Sequence, residues 1–146
     1  MIVEDAFDID APLARVWPLL ADIPHVASCI PGAAIEEQVD ATTYRAKVTV
    51  KVGPVAVGYR ATIRVLELDG DEHVARFDVH GDELKGRGGV RATVTSSATE
   101  RDGKTHVTLH SDAQLSGIIV TVGGRLIESV AKKTIAQFAS NLAATL

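Results

Sequence analysis

"TYRAKVTVKVGPVAVGYRATIRV", residues 43–65, sets the class of this chain. In its first half Tyr44, Ala46, Val48, Val50 and Val52 alternate with Arg45, Lys47, Thr49 and Lys51. In its second half Val55, Val57, Tyr59, Ala61, Ile63 and Val65 alternate with Ala56, Gly58, Arg60, Thr62 and Arg64. A period of two with one apolar side marks a strand that is dry on one face and wet on the other. The Gly-Pro pair at 53–54 marks a turn between the two runs. The stretch therefore predicts a long antiparallel hairpin whose dry faces coincide, and such a face needs an apolar cover from elsewhere in the chain.

Working outward, the same period continues. "LDGDE" (68–72) turns the chain, and Ala75, Phe77 and Val79 face inward on the next strand. "HGDELKGRGG" (80–89) reads as another turn, and two more strands run from about Val90 to Thr99 and from Thr105 to Ser116, joined by "ERDGK". Before the hairpin, "MIVEDAFDID" alternates as a first strand, with Val3, Asp5, Phe7 and Ile9 on one face. Asp10 reads as the N-cap of a short helix carrying Leu13, Val16, Trp17 and Leu20, and "DIPHVASCIPGA" (22–33) as a second, proline-bounded one. After Gly123 and Gly124 the period becomes helical. Leu126, Ile127, Val130, Ala131, Ile135, Phe138, Ala139 and Leu142 form an apolar stripe opposite Glu128, Lys132, Lys133, Gln137 and Asn141. This long helix is the only sizeable cover for the sheet. The expected architecture is α+β, one domain over residues 1–146: a twisted antiparallel sheet of about seven strands wrapped around the C-terminal helix, with two short helices after the first strand. A highly twisted sheet gripping one helix leaves a space between them.

Composition narrows the function. At 146 residues the chain buries roughly 70% of its unfolded surface, enough for one core. Hydrophobic residues are 46% and aromatic residues only 4%, so the interior is Val, Ala, Ile and Leu rather than large rings. A formal charge of −4 and the lack of any run of Lys and Arg argue against nucleic acid and against electrostatic attachment to anionic lipid. A single cysteine and an N-terminus without a basic region and apolar run point to the cytoplasm.

The residue patterns offer few reactive groups. His25 and Cys29 are four apart, the spacing of one helix face. A thiol nucleophile wants a base and an orienting group, and a zinc site three or four ligands; this stretch supplies one cysteine and one histidine. The simpler reading makes Ile23, Val26, Cys29 and Ile30 the buried side of a lid helix, with the cysteine a small hydrophobe. His80, His106 and His110 fall on the wet face, as do Arg45, Lys51, Arg60 and Arg64, a solvated surface or a protein-docking patch. "GRGG" (86–89) lacks the helix and Lys-Ser/Thr pair of a phosphate cradle. Along the dry face the period supplies no charged group for acid–base work, and Tyr59 carries the one obvious polar tip.

The motifs themselves resemble a known family. "F-x-I-x-A-P-x-x-x-V-W-x-x-L-x-D" (Phe7 to Asp22), "C-I-P-G-A" (Cys29 to Ala33), "K-V-G-P-V" (Lys51 to Val55), "G-R-L-I" (Gly124 to Ile127) and "F-x-x-x-L" (Phe138 to Leu142) are similar to the carbon monoxide dehydrogenase G-subunit (CoxG) family, within the START-like helix-grip superfamily. The resemblance implies an accessory protein serving a carbon monoxide dehydrogenase or related molybdenum hydroxylase, and an apolar cavity suited to a lipid or an isoprenoid quinone. Many members carry a C-terminal extension with a membrane-anchoring segment. The sequence ends at Leu146, either as a short member or with such a tail beyond it; through that tail the resemblance implies contact with the inner face of the cytoplasmic membrane.

On this basis the expected cavity and mouth are Val26, Cys29, Ile30, Val48, Val50, Pro54, Val57, Tyr59, Ile63, Phe77, Leu109, Ile127, Val130, Ala131 and Phe138. Tyr59 or Tyr44 would meet a head group, and residues 22–33 with the "VGPV" turn would form the mouth. No catalytic residue, metal or resident cofactor is expected, a quinone or lipid being cargo. Two other readings stay open: a cyclase- or hydratase-like enzyme in the same cavity, which requires an inward ionisable group, and a protein-interaction module with an inert core.

Overall fold

A computed structural model of the chain describes residues 1–146. The elements run β1 (Ile2–Ile9), α1 (Leu13–Leu20), α2 (Ile23–Cys29), β2 (Ala33–Gln38), β3 (Thr43–Val52), β4 (Val55–Asp69), β5 (Val74–Glu83), β6 (Gly89–Arg101), β7 (Lys104–Leu115), a 3₁₀ turn (Ile118–Val122) and α3 (Gly124–Ala144). The strands form one seven-stranded sheet in the order β1-β7-β6-β5-β4-β3-β2, every pair antiparallel. The architecture is the α+β helix-grip arrangement that the alternation anticipated. In the opening hairpin Val48 pairs with Tyr59, Val50 with Val57 and Val52 with Val55. The two dry faces thus share one side of the sheet.

A meander sends alternate connections to the same end. The β3–β4, β5–β6 and β7–α3 connections lie together at an end rich in glycine; the β2–β3, β4–β5 and β6–β7 connections lie at the opposite, acidic end, with α1. The core cluster sits toward the acidic end: Ile9, Ala11, Val16, Leu20, Cys29, Ala98, Val107, Phe138 and Leu142. Phe7 meets Phe138 edge to face with centroids 5.9 Å apart, and the Asn141 amide donates to the Cys29 carbonyl at 2.9 Å. These contacts fix the C-terminal half of α3 against β1 and α2.

Two expectations about local structure change. Asp10 caps nothing: α1 starts after an extended Pro12, and the Leu13 amide is instead taken by the Glu100 carboxylate at 2.7 Å. A tertiary acceptor has replaced the local cap. The stretch 80–89 is not all turn, because β5 runs on to Glu83. Gly81 pairs with Ala61 on one side and Val90 on the other, and ladders on both sides outweigh the weak strand preference of a glycine. No helix is long and apolar enough to cross a membrane.

Candidate functional site

The relation of α3 to the sheet creates the site. α3 approaches β1, one edge strand, and β3, next to the opposite edge, and it also packs on α2 and the 3₁₀ turn. Its C-terminal half shares the core cluster with Ala98 of β6 and Val107 of β7. Burial of the facing side chains varies along the helix. Val48, Val50, Ile63, Phe77 and Leu109 on the sheet, and Ile127, Val130 and Ala131 on the helix, are only half-buried although they face inward. The C-terminal half of α3 behaves differently, with Phe138 and Leu142 buried. The inward side chains of the central strands and of the first turns of α3 are thus less completely covered than those of the core cluster.

Of the residues expected to line a cavity, those eight are half-buried, and Val57 and Tyr59 are buried in the inner face of β4. Cys29 and Phe138 lie instead in the core cluster, with Val26 and Ile30 packed against it, and Pro54 is exposed on its turn. Cys29 and His25 do meet, Sγ to Nε2 at 3.9 Å. The thiol is 2% exposed, however, and the imidazole Nε2 is also 3.0 Å from the Thr145 hydroxyl, so the pair belongs to the packing of α2 on the end of α3. No group of His, Cys, Asp and Glu is arranged to hold a metal.

Tyr59 is the polar feature of the inner face. Its ring is 3% exposed, and its hydroxyl is buried without any hydrogen-bond partner. Burial first, and the Glu83 carboxylate second, push its pKa upward, so the group remains a neutral donor through the physiological range.

Glu83 is the residue that the sequence reading missed. It stands opposite Tyr59 in the ladder, on the inward face, which corrects the expectation that this face holds no charge. The miss follows from ending β5 too early, since the inward parity of Phe77, Val79 and Gly81 leads directly to position 83. Its carboxylate accepts from the Gly88 amide at 3.2 Å and the Ile118 amide at 3.1 Å, clasping the β5–β6 turn to the 3₁₀ turn. Gly88 and Gly117 approach so closely that a side chain on either would collide with backbone or with this carboxylate. With both oxygens engaged by amides, Glu83 acts as a structural clasp, and its charge adds to the burial that raises the Tyr59 pKa.

The outer face is polar throughout. His106 pairs with Asp8 at 2.8 Å, His110 with Glu4 at 3.5 Å and His80 with Asp82 at 3.6 Å. Arg60 meets Glu36 at 3.2 Å and Arg64 meets Asp78 at 3.4 Å. A groove of about 690 Å³ runs between them, lined by Arg64, Asp78, His80 and Arg91 among others. Its lining mixes both signs of charge, with Arg64 paired to Asp78.

Comparison with known proteins follows the same line. A family model described as the G subunit of carbon monoxide dehydrogenase (CoxG) matches residues 6–146. Comparison with curated protein sequences finds no match. Among solved structures, a conserved protein from Geobacillus kaustophilus is similar with a TM-score of 0.88 at 23% identity, covering 99% of this chain and 94% of that one. A START superfamily protein from Mycobacterium smegmatis has a TM-score of 0.65 at 14% identity, covering 99% and 95%. The ZhuI aromatase/cyclase from Streptomyces sp. R1128 has a TM-score of 0.65 at 17% identity, covering 99% and 92%. At these identities the likeness is one of fold.

Proposed function

The chain belongs to the carbon monoxide dehydrogenase G-subunit (CoxG) family, and from that premise we propose that it is a non-catalytic carrier. It holds an apolar molecule, a quinone or a lipid, between α3 and the central strands, and serves a carbon monoxide dehydrogenase-type molybdenum enzyme at the membrane. The observation that carries the reading is the buried hydroxyl of Tyr59 on the inner face, left without any hydrogen-bond partner. A buried donor without an acceptor is costly, and a ligand carbonyl relieves that cost. Apolar burial at about 0.8 kcal/mol per methylene then retains the tail. A quinone carbonyl or a lipid ester provides both parts.

The test is extraction of the protein from host membranes, followed by mass spectrometry of what it carries. An isoprenoid or acyl compound is expected with the native chain, and retention about three- to tenfold weaker in Tyr59→Phe, the worth of one neutral hydrogen bond. A native chain that carries nothing and takes up no added quinone or lipid overturns the reading.

A cyclase-like enzyme is the second reading, favoured by one observation: Glu83 faces inward beside Tyr59. It requires the carboxylate to leave the Gly88 and Ile118 amides and reach substrate. Turnover of a polyketide-like substrate that Glu83→Gln abolishes, with the fold intact, would establish it over the carrier.

A further inference from the structure

The sequence holds no run of basic residues, yet the meander assembles a basic end. Lys51 lies near the end of β3, Lys85 and Arg87 lie in the β5–β6 turn, and Arg125 opens α3, so all four stand at the glycine-rich end, and all are exposed. Contacts tie these segments together. The Leu126 side chain lies 3.1 Å from where a side chain on Gly53 would begin, the Leu84 amide donates to Gly58 at 2.8 Å, and Gly88 packs on Ser116 and Gly117.

None of these cations has an ion-pair partner, whereas Arg45, Arg60, Arg64 and Arg76 on the outer face all do. The carboxylates nearby are fewer and face other groups: Glu83 accepts from backbone amides, Asp82 lies 3.6 Å from His80, and Glu128 meets Lys132. Asp40, Asp71, Glu72 and Asp102 lie in the connections at the opposite end, where they outnumber Arg101 and Lys104. A chain of net charge −4 is thus polarised along its strands, with cations in excess of carboxylates at the glycine-rich end. Among the cations stand exposed aliphatic side chains: Leu84 at 41%, Ile118 at 51%, Val120 at 50% and Leu126 at 38% exposure.

We propose that this end seats directly on an anionic phospholipid bilayer, with Lys51, Lys85, Arg87 and Arg125 among the phosphates and the aliphatic tips in the interfacial layer. Clustered cations are drawn to a negative membrane surface, and exposed apolar side chains beside them gain burial at the boundary of the acyl chains. A protein partner fits less well. Interface cores are depleted of Lys, and here cations stand among the apolar tips, where a protein would have to desolvate them. A bilayer lets long basic side chains reach phosphate while their stems stay buried. The seat goes beyond the carrier reading and stands without it.

The test is co-sedimentation of the 146-residue chain with vesicles of phosphatidylcholine alone and of equal parts phosphatidylglycerol and phosphatidylcholine. The native chain should bind the anionic vesicles only and release with added salt. The double variant Lys85→Glu/Arg87→Glu should lose about tenfold or more in partitioning. Ile118→Ser/Val120→Ser should weaken the fraction that survives high salt. Arg45→Glu, on the outer face, should bind as the native chain does. All of these positions are exposed, so unchanged thermal melts establish that each variant folds. Equal binding to neutral and anionic vesicles, or variants that bind like the native chain, overturns the proposal. So does a native chain that ignores vesicles while this end is shielded by a partner from the dehydrogenase, which assigns the surface to a protein. Tyr59→Phe should leave vesicle binding unchanged, so a failed carrier reading and a failed membrane seat give different results.

Discussion

Tyr59 carries two opposed consequences. A buried hydroxyl without an acceptor costs about 1–3 kcal/mol, so Tyr59→Phe should raise the stability of the ligand-free protein by about 1 kcal/mol while weakening retention of the ligand. Denaturant melts of stripped protein read the first effect and bound-ligand content the second; a loss of stability would mean that the hydroxyl has a structural partner. The pH dependence has a definite sign. Burial and Glu83 raise the folded-state pKa above the unfolded value of about 10, so the folded chain holds a proton that the unfolded chain releases. The contribution is intact below about pH 10 and is lost as pH climbs toward the raised folded value. Melts at alkaline pH should show this decline in the native chain and less of it in Tyr59→Phe. Tyr59 was legible from its inward parity. That its hydroxyl lacks a partner was not, because an orphaned donor depends on every neighbour at once.

At the scale of the element, α3 is two helices in energetic terms. Its apolar stripe reads as uniform in sequence, from Leu126 to Leu142, and periodicity alone assigns it one role. The structure divides it. Leu142 is 0% exposed within the core cluster, while Val130 is half-buried over the central strands. Leu142→Ala should cost about 2–5 kcal/mol, because it opens a cavity that tightly packed neighbours cannot close. Val130→Ala should cost about 1 kcal/mol or less and show itself chiefly as weaker ligand retention, since its side chain is only partly packed. Equal losses of stability at the two sites would show that the helix packs the sheet along its whole length. The division escaped the sequence because it arises from tertiary packing: the C-terminal half of α3 joins the core cluster with Ala98 and Val107, and the first half does not. The same limit hid Glu83. Gly81 was read as a breaker, although pairing on both sides carries β5 past it.

Across the whole molecule, the order of strands and helices was written plainly in the alternation, but the charge arrangement was not. Lys51, Lys85, Arg87 and Arg125 are far apart in the chain and converge only because alternate connections of a meander share an end. Stability is divided along the same axis, with the core cluster toward the acidic end and half-buried walls over the central strands. A ligand between those walls would supply the missing packing. Binding to the folded chain alone stabilises it by about 2.7 kcal/mol at a hundredfold excess over Kd, which for a domain of this size raises Tm by roughly 5–10 °C. Protein stripped by detergent exchange should therefore melt several degrees below loaded protein, with the added hydrogen exchange concentrated in β4–β6 and the first turns of α3. The core cluster around Leu142 should be protected equally in both. Identical melts with and without ligand would mean that the ligand does not occupy this space, and a uniform rise in exchange would mean that it acts as a global stabiliser rather than as the missing half of a core.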